Sequence, residues 1–160
     1  GLRIGVSFAK GLCYGLRKPL VAVGSLDALC EVAREDYEAG ILSVEDWERA
    51  VLCPMVDARR MEVYTQLFDA QGQPLTEVSA DAGSFAAWRA KGPFVIFGSG
   101  AAKCADVLSD TVLVHVAPSA RGLARLAQTA FDGGDFADLA YFEPFYLKDF
   151  VVTTSRKKLF

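Results

Sequence analysis

Plotted at about 100° per residue, the first sixteen residues separate cleanly by polarity. Arg3, Ser7, Lys10, Tyr14 and Arg17 fall on one narrow polar stripe. Leu2, Ile4, Val6, Phe8, Ala9, Leu12, Cys13 and Leu16 fill an apolar arc of roughly 200°, wider than a surface helix needs to cover one core. Gly1, Gly5, Ala9 and Cys13 recur at every fourth position as a ridge with almost no side chain, and Gly11 and Gly15 form a second close pair. Each interior glycine costs about 0.5–1 kcal/mol of helix propensity. The pattern therefore predicts a helix buried on two sides and packed backbone-close against another helix.

The periodicity changes along the rest of the chain. Pro19 stops the first helix, and the apolar run 20–23 reads as a short buried strand. Ser25 is placed to N-cap a second helix over residues 26–39, with Gly40 as its C′ residue. A short helical turn is expected around Trp47. Residues 52–58 read as a strand, and Pro54 within it suggests an edge or entry position. Gln71-Gly72 marks a turn between strand-like runs at 61–68 and 75–78. Ser84 is placed to cap a short helix carrying Phe85 and Trp88. Buried strands follow at 94–97 and 111–116. Pro118 and Ser119 open a last helix through Phe131, closed by Gly133-Gly134, and the tail 141–152 is aromatic and β-prone. The order of elements predicts an α/β fold with a mixed sheet and flanking helices.

Composition narrows the functional classes. The 160-residue chain has a formal net charge of −3, which argues against tight nucleic-acid binding by this chain alone. No apolar run approaches a membrane span, and no signal-peptide pattern opens the chain. Cys13, Cys30, Cys53 and Cys104 form no CxxC pair and sit among apolar neighbours, as reduced buried thiols of a cytoplasmic protein do. The single histidine, His115, cannot supply the imidazole set of a catalytic zinc. No GxSxG elbow is present, and no cysteine has an obvious histidine partner.

Three motifs carry a family resemblance. GLRIGVSFAKGLCYGLRKPLVAVGSLDAL from Gly1, VDARRMEVY from Val56 to Tyr64, and EPFYLK from Glu143 to Lys148 resemble, in the same order, motifs of the TsaB family (formerly YeaZ). The family's N-terminal hairpin and first strand do not precede Gly1, so the chain is expected to be an N-terminally shortened member. The resemblance implies the actin-like ATPase fold, related to ribonuclease H. In it, residues 1–40 would be a remnant of the N-terminal lobe and residues 51–160 the C-terminal lobe. It further implies a pseudo-enzyme: a scaffold that activates TsaD in making threonylcarbamoyladenosine in tRNA, with TsaE joining the pair. ATP would act at those partners, no cofactor would be held here, and tRNA would be met only through the complex. The competing class is an enzyme, either a glycoprotease-type metallopeptidase or a kinase of the same fold. A third reading is a homodimer of the chain in isolation, formed by self-association through its apolar helix.

Two further clusters invite functional readings. Asp57, Arg59, Arg60 and Glu62 follow a strand that should end at a cleft. On strand periodicity Asp57 and Arg59 share one face. Either they pair locally or they line an inter-lobe or inter-subunit surface. Gly98-Ser99-Gly100 follows a strand and is read either as a plain strand-to-helix turn or as the vestige of a nucleotide loop; neither GxxxxGK nor GxGxxG is present. The candidate partner interface is Gly1, Gly5, Ala9, Leu12, Cys13, Asp57 and Arg59. The basic tail, Lys148, Arg156, Lys157 and Lys158, is read as solvated.

Overall fold

The structure, a computed structural model, describes residues 1–58, 62–80, 85–106, 108 and 110–147. Arg59, Arg60, the Ser84 cap and the tail from Lys148 onward lie outside the described residues.

A four-stranded mixed sheet organises the fold. β1 (Val51–Asp57) pairs antiparallel with β2 (Val63–Thr65) and parallel with β3 (Phe94–Phe97), which pairs parallel with β4 (Val112–Leu113). Period-two alternation sorts β1 and β3 between two cores. Leu52, Val95 and Phe97 join Phe68, Trp47 and the buried face of α2 (Ser25–Glu38), including Leu29, Val32 and Ala33. Cys53, Met55, Phe94 and Ile96 point the other way, onto Phe85, Leu67 and α4 (Ala101–Ala105), with Trp88 of α3 (Ala86–Arg89) packed beside them. The result is three layers, helix, sheet and helix, as the α/β pattern predicted.

Several local expectations need correction. β1 lies inside the sheet, not at its edge, and still accommodates Pro54. Leu52 exchanges both backbone hydrogen bonds with Phe68, whereas Val51 donates to Pro93 on the β3 side. By alternation, the missing N–H of Pro54 points toward β2, into the gap between the Leu52–Phe68 bridge and the β2 ladder. The run 20–23 is no strand; Leu20 makes a single antiparallel bridge to Ala137. Gly24, not Ser25, is the N-cap of α2. The first helix, α1 (Leu2–Leu16), ends before Pro19: Arg17 turns left-handed at φ 52° and Lys18 donates back to the Cys13 carbonyl.

Other signals have the expected consequence. Gly40 follows α2 at φ 70°, the left-handed C′ conformation that favours glycine. Gly72, at φ 84°, closes the turn in which Asp69 Oδ1 accepts the N–H groups of Gln71 and Gln73. Trp47 opens a short 3₁₀ turn and stacks on Tyr37 with ring centroids 4.2 Å apart. Ser119 accepts from the Arg121 N–H at the 3₁₀ turn that leads into α5 (Ala124–Asp132). Gly122 lies directly against the Ala28 carbonyl, closing that turn onto α2. Beside this contact, buried Glu31 receives the Arg125 guanidinium through two hydrogen bonds and Arg34 at 2.9 Å.

Candidate functional site

Helix α1 differs in kind from α2. None of its residues is buried, although Ile4, Phe8, Leu12 and Leu16 form a continuous apolar stripe. Ile4 is 77% exposed and Phe8 67%. Gly1, Gly5, Gly11 and Gly15 interleave with that stripe, and a Cβ added at any of them would meet no atom within 4 Å. The expectation of burial on two sides is therefore corrected for the chain alone. The amphipathic pattern marks surface that is costly to leave in water, and nothing among the described residues covers it.

The opposite flank of α1 faces residues 137–146. Val6, Ala9, Lys10 and Cys13 are half-buried there. Lys10 Nζ donates to the carbonyls of Ala140 and Phe142, both at 3.0 Å. Arg3 Nε donates to the Tyr146 hydroxyl at 3.3 Å, and its guanidinium lies 5.4 Å from that ring's centroid. The small-residue ridge thus divides: Gly1 and Gly5 are exposed, as is Leu12 beside them, while Ala9 and Cys13 are half-buried. Cys13, expected to be buried, is only half-buried, with its thiol 3.5 Å from the Pro19 carbonyl.

The C-terminal ends of β1 and β3 bring Asp57 to the loop 98–100. The Asp57 N–H donates to Ser99 Oγ at 3.1 Å, and the Asp57 carboxylate accepts from Lys103 Nζ at 2.6 Å. Gly98 takes φ 96°, and a Cβ there would lie 2.5 Å from the Met55 carbonyl oxygen. The Gly100 N–H donates to that same carbonyl at 2.9 Å. This is the geometry of a tight strand-to-helix turn stitched to its neighbouring strand. Strand ends of this kind are where open α/β sheets place ligands, but here the carboxylate is held by the chain's own lysine. Arg59, the expected companion of Asp57, lies outside the described residues. No local pattern in the sequence marks Lys103 as the partner of a carboxylate 46 positions away.

The buried thiols are poor nucleophiles. Burial pushes Cys30 and Cys53 up to about 12, with the Thr65 hydroxyl opposing the shift at Cys53, and burial also raises Cys104. Such groups stay protonated at neutral pH. Exposed His115 lies just beyond β4. Among the described residues no three His, Cys, Asp or Glu side chains converge as a metal site. Nor is any described helix long and apolar enough to cross a membrane.

The mixed sheet with helices on both faces is the class of architecture shared with actin-like proteins of the TsaD type. The fold is similar to that of a Pseudomonas aeruginosa protein described as having similarity to the peptidase YeaZ. That match has a TM-score of 0.71 and 24% identity, over 92% of this chain and 68% of the other. YeaZ from Pseudomonas aeruginosa matches with a TM-score of 0.64 at 24% identity, again over 92% and 68% of the two chains. A family model described as "TsaD: tRNA N6-adenosine threonylcarbamoyltransferase" matches residues 1–134. The chain belongs to that family, and its motifs resemble those of the TsaB group. It is 37% identical over 81 residues to the tRNA threonylcarbamoyladenosine biosynthesis protein TsaB of Bacillus subtilis (strain 168). That match spans 51% of this chain and 30% of the Bacillus protein.

Proposed function

We propose that the chain serves tRNA threonylcarbamoyladenosine synthesis as a non-catalytic scaffold that docks and activates TsaD. One observation carries the reading: a fifteen-residue helix with no buried residue presents an apolar stripe interleaved with open glycines. A homologous actin-like protein can lay a helix of its own close along such a face, because glycines let backbones approach. Residues 1–40 then belong to the N-terminal lobe that carries this face, and residues 51–160 are the C-terminal lobe. TsaE joins the pair. ATP acts at the partners, so the chain holds no cofactor of its own, and tRNA is contacted only through the assembled complex.

The test is a calorimetric titration of TsaD with the double variant Phe8→Glu, Leu12→Glu. Both side chains are exposed, so the variant's own melting temperature should stay at the wild-type value. Placing two carboxylates in an apolar contact should weaken TsaD binding at least ~100-fold. Unchanged affinity would overturn the reading. So would stoichiometric, tight binding of ATP-Mg or zinc by the wild-type chain, which would restore the kinase or metallopeptidase alternative. Light scattering on each sample separates partner docking from self-association through the same helix.

A further inference from the structure

What holds α1 in place is unusual, because its contact with the rest of the chain is thin in apolar terms. A fifteen-residue helix is marginal by itself in water even without glycines, and α1 has three within its span and no buried residue. Open grooves run between α1 and the segment 137–146, lined by Lys10, Gly11, Tyr14, Leu139 and Ala140. The apolar packing is therefore loose there, and the attachment is polar and built at three points. At the base, the Ala137 N–H donates to the Leu20 carbonyl at 2.8 Å. In the middle, Asp138 Oδ1 accepts the N–H groups of Ala140 and Tyr141 at 2.8 and 2.9 Å, and the Phe142 N–H donates to the Asp138 carbonyl at 2.8 Å. That turn presents two carbonyls to one ammonium group, Lys10 Nζ. At the far end Arg3 meets Tyr146 through a hydrogen bond and the ring face.

We propose that residues 137–146 form a strap that holds α1 in its docking orientation, with Lys10 as the clasp and Asp138 shaping the turn it closes on. The proposal rests on the docking role of α1 given above. Lys10 is a positioning residue: it touches the strap, not the face offered to the partner. Holding the helix in advance spares the complex the cost of ordering it on contact, so the strap sets affinity without contributing contact area.

The experiment measures hydrogen exchange of the α1 amides in the full chain, alongside calorimetric titration of TsaD, for Lys10→Met, Lys10→Arg and Asp138→Ala. Loss of a charge-assisted hydrogen-bonded clasp should speed α1 exchange by about tenfold in Lys10→Met and weaken TsaD binding by a similar factor. Asp138→Ala should do the same without altering α1 itself, and Lys10→Arg should recover most of both. Exchange over β1 and β3 should not change in any of them. Wild-type α1 exchange in Lys10→Met and Asp138→Ala would overturn the strap. So would weakened TsaD binding with undisturbed α1 exchange, which would put Lys10 in direct contact with the partner. If the wild-type chain fails to bind TsaD, the docking role falls, while the exchange comparison still decides whether the strap holds the helix.

Discussion

Replacing Gly5, Gly11 and Gly15 together by alanine asks α1 to reveal why it carries glycines. In the free chain a methyl at any of the three meets nothing within 4 Å, so substitution carries no packing penalty. Each replacement recovers about 0.5–1 kcal/mol of helix propensity, and the triple variant should stabilise α1 by roughly 1.5–3 kcal/mol. Hydrogen exchange along residues 2–16 reads that gain as slower exchange. Docking should move oppositely. Where a partner helix closes on the glycine face, each methyl overpacks the contact, at about 1–3 kcal/mol when neighbours cannot yield. Calorimetry with TsaD should therefore show weaker binding by a variant whose docking helix is better formed. A stabilised α1 that binds TsaD as well as wild type would refute the reasoning, because the glycines would then not be at a close approach. An α1 not stabilised at all would show that its outward face is already covered in solution.

The Glu31–Arg125 clasp carries a pH signature. Hydrogen bonds from Arg125, and the nearby Arg34 charge, hold the Glu31 carboxyl below its ordinary 4.5. A carboxyl depressed in the fold stabilises fully above the unfolded value and loses that contribution as pH falls through the folded one. Glu31→Gln should thus be less stable at pH 7 by about 1–2 kcal/mol, discounted because Arg125 is half in solvent. Urea melts at several pH values should show the gap closing below about pH 4.5; a gap constant from pH 7 to 3 would contradict the assignment. Gly98→Ala combines a left-handed backbone with a Cβ 2.5 Å from the Met55 carbonyl oxygen. It should cost roughly 2–4 kcal/mol in the same melts, and wild-type stability would show that the turn can relax.

The core was legible because burial and period coincide there. β3 appears at the residues where its unbroken FVIF run placed it, and in the neighbouring strand Leu52 faces one core while Cys53 and Met55 face the other. Turn chemistry was equally plain at Gly40 and Gly72, where only a left-handed residue fits. Pro54 misled for a physical reason: a residue without an N–H needs only a gap in one ladder, and the break between two antiparallel pairings provides it inside a sheet. Long-range polar pairs were invisible. Nothing near Lys103, Arg125 or Lys10 in the sequence marks partners 46, 94 and 130 positions distant.

The candidate surface shows where sequence periodicity stops being informative. The polarity pattern of α1 states which atoms water should not touch; it does not state which molecule excludes the water. Read as a single chain, a helix apolar over so wide an arc must be internal, and the structure shows it lying outside every core cluster. Both facts are satisfied when the helix is internal to an assembly larger than the chain. On the proposed docking role the division of the ridge acquires meaning: half-buried Ala9 and Cys13 lie on the chain's own side, while exposed Gly1 and Gly5, with Leu12 beside them, are left for a partner. On that reading one helix serves two contacts on two flanks. Polarity alone marks a wide apolar arc, and its two flanks separate only when the half-buried and open positions are seen around the same turn.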